Sequence, residues 1–155
     1  MGGRITRATL IGGLTGGAID IAYAMIVSYL SSGMTPDMLL RVVAGGVLGR
    51  AQIKEGGLAE AALGGALHFG ICVAMAAAFC LASLAAPALR RYWFVTGPIY
   101  GAGLYVFMNY VVLPLSALAV KNHPEGLRMW GELASHVFGV GLTIAGTARA
   151  VIGRG

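Results

Sequence analysis

Charge is scarce in this sequence: 11% of its 155 residues are Asp, Glu, Lys or Arg, where a soluble domain carries roughly a quarter. So thin a polar coat excludes a soluble globular domain. Acids are the scarcer sign, six against eleven Lys and Arg, which leaves a net charge of +5. That sign raises nucleic acid as a partner, but the basic residues stand singly or in pairs between apolar runs, without a basic face or interleaved aromatics. No nucleic acid is expected, and contact with anionic lipid headgroups accounts for the charge. Cysteine is scarce too. Cys72 and Cys80 share one apolar run, which excludes a disulfide framework and a CxxC motif. A phosphate-binding loop, a nucleophile elbow and a metalloprotease helix are all missing, so an enzyme is not expected.

Apolar residues make up 57% of the chain and arrive in long runs. A membrane span needs about 20 of them in sequence. Four runs qualify, at about residues 8–30, 58–85, 93–119 and 130–152. The expected fold is therefore an all-α membrane protein, a bundle of four transmembrane helices forming one membrane domain over residues 1–155. Between the first two spans, residues 36–53 are too short and too charged to cross. Thr35 suits an N-cap, Pro36 the first helical position and Asp37 the helix dipole, while Leu39, Val42, Val43 and Val47 recur at helical spacing. This reads as a short amphipathic helix on the membrane surface, or packed across the bundle mouth.

Six basic residues (Arg4, Arg7, Arg90, Arg91, Arg149, Arg154) fall on one side with no acid. Five (Arg41, Arg50, Lys54, Lys121, Arg128) fall on the other, with five of the acids. The positive-inside rule then places both termini in the cytoplasm, in a bacterial inner membrane. Tyr92, Trp93 and Trp130 suit interfacial anchors.

Each span carries one small or polar stripe at three- and four-residue spacing. The stripes are Gly13, Gly16, Gly17 and Asp20; Gly64, His68, Cys72 and Ala76; Ala102, Tyr105, Asn109 and Ser116; and Glu132, Ser135, His136, Gly139, Thr143 and Gly146. Gly13, Gly16, Gly17, Gly64 and Gly139 are the expected points of close helix packing. Asp20 falls near mid-membrane, where a lone carboxylate costs about 2.5–3.5 kcal/mol on insertion scales, so it requires a partner, a proton or water. Asp20, His68, Asn109, Glu132 and His136 form the expected intramembrane polar cluster, reachable from outside and closed toward the cytoplasm. His68 and Cys72 are four apart, as are Glu132 and His136. These four residues are a donor set for a transition metal or a haem. Histidines hydrogen-bonded within a bundle outnumber ligands, so no cofactor is expected.

His68, the stretch from Asn109 to Pro114-Leu115, and Glu132-Leu133-Ala134-Ser135-His136 resemble the YagU-like family of small bacterial inner-membrane proteins over residues 64–149. The family has histidine where this chain has Asn109. The resemblance implies the same fold and a role in acid resistance. Three functions follow from the residues. The first is an accessory or structural subunit of a membrane complex, with the bilayer and other inner-membrane proteins or further copies of itself as partners. The second is a proton- or ion-linked carrier using Asp20 and the intramembrane histidines, whose side chain ordinarily titrates near neutral pH. The third is a haem- or metal-binding redox subunit.

Overall fold

The computed structural model describes residues 2–120 and 124–153, with the side chain of Gln52 excepted. Its regular structure is helical throughout, in seven segments: α1 (Gly2–Ser32), α2 (Pro36–Leu48), α3 (Ala51–Glu55), α4 (Leu58–Ala85), α5 (Ala88–Arg91), α6 (Trp93–Leu115) and α7 (Gly126–Ile152). Four of these, α1, α4, α6 and α7, are long and apolar enough to cross a membrane. At 1.5 Å per residue even the 23 residues of α6 exceed a hydrocarbon core of ~30 Å. The chain is a small multi-pass membrane protein.

The helix ends differ from the sequence expectation for local reasons. α1 is helical from Gly2, ahead of the apolar run that starts at Ala8. α6 stops at Leu115, where the Ser116 hydroxyl donates to the Leu113 carbonyl at 2.7 Å. α7 starts at Gly126, a turn before Trp130, with the Arg128–Glu132 pair (2.9 Å) bridging its first turns. The amphipathic segment divides in two at Gly49, whose φ of 92° suits glycine and ends α2. Thr35 has the extended backbone of an N-cap, but its hydroxyl serves the Asp37 carboxylate and makes no capping bond to the backbone. That bond, followed by the Arg41 guanidinium, holds the Asp37 carboxyl below its ordinary range.

The spans are packed inside out relative to a soluble bundle. Leu10, Leu14, Ile26, Phe94, Ile99, Phe107 and Phe138 point outward, while glycine, alanine and serine fill the contacts. In lipid there is little to gain by burying leucine, so close backbone approach decides which faces meet. α1 lies between α4 and α7, and α7 lies between α1 and α6. Tyr100 of α6 closes the circuit by donating to the Met75 carbonyl of α4 at 2.7 Å.

α2 lies across the mouth of this bundle, over the start of α4. Gly64 leaves room for the Leu40 carbonyl and Ala44 to seat on it. Arg41 donates to the Gly56 carbonyl (2.8 Å) and Arg50 to the Leu118 carbonyl (2.9 Å), while the Ala117 N–H donates to Gly46. The opposite end, where α1 starts and α7 finishes, holds the apolar core around Ala8, Ala76, Phe79, Cys80, Ile144 and Ala148. Arg4, Arg7, Arg90, Arg91 and Arg149 belong to that end. Lys121 and Arg154, which entered the charge count above, lie outside the described residues.

Candidate functional site

The glycine stripe of α1 is two faces. Gly13 and Gly17 meet α4, where a methyl group on Gly13 would stand 2.6 Å from the Val73 Cα and one on Gly17 3.1 Å from Cys72. Gly12 and Gly16 meet α7 at Ile144 and Val140, each Cα 3.4 Å away from such a methyl. One turn further along the α7 face, the next residue is Asp20.

Opposite Asp20, α7 leaves the regular α-helix. Residues Ser135–Gly141 form a π-helical segment, with five-residue in place of four-residue hydrogen bonding. At its start the Ser135 hydroxyl donates to Asp20 Oδ1 at 2.9 Å, and His136 Nδ1 stands 3.6 Å from the same oxygen. His136 Nδ1 also lies 2.9 Å from the Glu132 carbonyl, an acceptor only, so Nδ1 carries a hydrogen. Its Nε2 has no hydrogen-bond partner among the described residues, and neither does Asp20 Oδ2. Both side chains are under one-fifth exposed, at 17% and 19%.

α6 supplies the remaining wall. Gly97 and Gly101 meet the α7 backbone at Gly141 and His136. The Tyr105 ring sets its edge against the His136 imidazole, 5.7 Å between centroids and 77° between planes. A second π-helical segment, Met108–Val112, follows. Asn109 lies in it, buried, and its Nδ2 donates to the Tyr105 carbonyl at 3.1 Å. In a regular helix that carbonyl receives the backbone N–H of residue 109.

These groups face a pocket of about 210 Å³. Asp20, Tyr23, Asn109 and His136 make its polar wall, and Val27, Leu39 and Leu113 an apolar one. Arg128, largely exposed, and Glu132 stand at its rim, paired with each other. The Tyr23 hydroxyl sits against Gly131 beside them, in the space a side chain there would take. Leu39 of α2 and the first turns of α7 put the pocket at the α2 end of the bundle.

Of the five residues expected to cluster, Asp20, Asn109, Glu132 and His136 share this pocket. His68 does not line it. It lies on the α4 face of α1, where Nε2 is 2.9 Å from the Gly17 carbonyl and 3.7 Å from Cys72 Sγ. The expected donor set for a metal or haem is divided the same way, His68 and Cys72 on one side of α1 and Glu132 and His136 on the other. Glu132 turns its carboxylate to Arg128 and offers His136 its backbone carbonyl. Among the described residues no three His, Cys, Asp or Glu converge as metal ligands. Tyr23 and Arg128 join the expected residues in this pocket, and the sequence carries a signal for each: Tyr23 is three residues past Asp20, and Arg128 four before Glu132.

No family model, curated protein or solved structure matches this chain.

Proposed function

We propose that this protein is a proton-linked membrane protein of the bacterial inner membrane, in which Asp20 and His136 exchange protons with the compartment on the α2 side. One observation carries the reading. A carboxylate and an imidazole meet at 3.6 Å within the membrane-spanning part of the bundle, in a pocket at the α2 end, with the apolar core between them and the other end. A carboxylate kept at that depth is costly unless it has work or a partner, and Ser135 satisfies only one of its oxygens. The proton enters at His136 Nε2, and the imidazolium so formed neutralises the adjacent carboxylate. The other titratable or charged groups around the pair are Tyr23 on α1, Tyr105 on α6, and Arg128 and Glu132 on α7. His68 and Cys72 of α4 lie across α1, and α2 contributes the apolar Leu39. The resemblance to YagU-like proteins supports acid stress as the setting.

The test is proton uptake by the purified protein in mild detergent on shifting from pH 8 to pH 5. Wild type is expected to take up about one proton more than His136→Gln, and more than Asp20→Asn, whose imidazolium has lost its counter-charge. Equal uptake in all three, together with unchanged proton flux in proteoliposomes, sinks the reading.

A different observation supports the accessory-subunit reading. On the outward face of α4, Ala62, Ala66, Gly70, Ala74, Ala78 and Ala82 follow one another every fourth residue, all exposed. Helix pairing in lipid uses such small-residue faces. Replacing Gly70 and Ala74 with leucine is expected to release any protein that co-purifies stoichiometrically. Purification of wild type alone, as a monomer, removes this reading.

A further inference from the structure

We propose that the pocket takes a small amphiphilic cation, a primary ammonium on a short alkyl chain, with the ammonium on Asp20. This rests on the proton-linked reading and names the solute that the proton is linked to. Arg128 and Glu132 pair with each other at the rim, which leaves Asp20 as the pocket's other carboxylate, with no Arg or Lys paired to it among the described residues. Its Oδ2 is open, since Ser135 and His136 both address Oδ1. A cation fits that balance. An anion does not.

The shape of the lining narrows the class. A bare inorganic ion needs oxygen ligands around it. Here much of the remaining lining is hydrocarbon, from Val27, Leu39, Met108 and Leu113, with Ser28 adding one hydroxyl. The space of about 210 Å³ corresponds to roughly seven water molecules at ~30 Å³ each. An ammonium with a few methylene groups fills it and matches both walls, its N–H donors on Asp20 and the Tyr23 hydroxyl, its carbons on the apolar side. The apolar packing gives affinity, and the single carboxylate selects the sign of the charge.

The probe is n-butylammonium, titrated calorimetrically into the detergent-solubilised full chain at pH 8, with n-butanol and butyrate as isosteric controls. Wild type is expected to bind butylammonium at least tenfold more tightly than either control. Asp20→Asn is expected to lose at least tenfold, and Ala24→Trp, which fills the pocket from α1 while keeping the Asp20 carboxylate in the chain, likewise. Equal binding of butyrate or butanol, or undiminished butylammonium binding by both variants, overturns the proposal. If Asp20→Asn does not fold, the wild-type controls and Ala24→Trp decide alone. Proton uptake is measured on the same samples without amine. Uptake that depends on Asp20, with no amine bound, removes the ligand class and leaves the proton-linked reading standing. Amine binding without such uptake removes the proton linkage and leaves the cation site.

Discussion

Replacing Gly101 with alanine puts one methyl group where α6 and α7 cross. It would stand 2.8 Å from the Val137 Cα and closer still to the His136 carbonyl. Carbon contacts settle at about 3.5–4.0 Å, so the two backbones must part by roughly 1 Å. Overpacking of this kind costs about 1–3 kcal/mol. The nearest atoms are backbone, which cannot rotate away, so the upper end applies. Alanine returns about 1 kcal/mol of helix propensity. The net loss is about 2 kcal/mol, a fall in Tm of roughly 4–8 °C for a chain of this size. Gly103, two residues away on the same helix, has nothing within 4 Å of such a methyl, and Gly103→Ala should instead raise Tm by a few degrees. Thermal unfolding in one detergent, followed by circular dichroism, gives both values. If the two variants shift Tm in the same direction by similar amounts, the glycine contact does not hold α6 on α7.

Ser135→Ala removes a hydrogen bond to a carboxylate, worth about 1.5–3 kcal/mol, and Tm should fall by roughly 3–12 °C; Ser135→Thr, which keeps the hydroxyl, should restore most of it. Deleting Phe138, an outward-facing residue of the α7 π-helical segment, should return that segment to regular α-helix, keep the protein in the membrane and abolish Asp20-dependent proton uptake; retained uptake would show that the extra residue is not what aligns the site. The Asp37 carboxyl, held below its ordinary 3.8 by Thr35 and then Arg41, supports α2 above that pH and stops doing so as pH falls through the lowered value. Amide protection factors in α2, corrected for the intrinsic rate, should therefore fall below about pH 4 in wild type and show no such acid limb in Asp37→Asn.

The division between what the sequence discloses and what it hides follows from how the packing information is carried. Four apolar runs around glycine disclose the bundle, because length and the shortage of charge leave no soluble alternative. The stripe of Gly13, Gly16, Gly17 and Asp20 shows that α1 is central. It does not show that adjacent glycines serve different neighbours, Gly12 and Gly16 toward α7, Gly13 and Gly17 toward α4. Both sets fall within one half-turn of a helical wheel, so only the neighbours distinguish them. His68 reads as a member of the cluster for the same reason. It shares depth and stripe character with Asp20, but it answers to the α4 side, where its imidazole is satisfied by a backbone carbonyl.

The harder loss of information lies in α7. A 3.6-residue period runs from Gly139 to Thr143 and Gly146, yet the residues buried beyond Gly139 are Val140, Gly141, Ile144, Ala145 and Ala148. The stripe slips by one residue at the π-helical segment, since a five-residue turn advances the chain about 100° too far for an α-helical wheel. Seen from α1 the slip has a purpose. The positions facing α7 climb in steps of four, Gly12, Gly16 and Asp20, and α7 descends to meet them through Ile144 and Val140. A further step of four reaches His136 and turns Ser135 aside. A step of five reaches Ser135. The π-helical turn brings both to one oxygen of Asp20, and the corresponding turn in α6 carries Asn109, so the two irregular turns in the spans are the two that shape the polar wall. A regular helix could not present the hydroxyl and the imidazole to the carboxylate together.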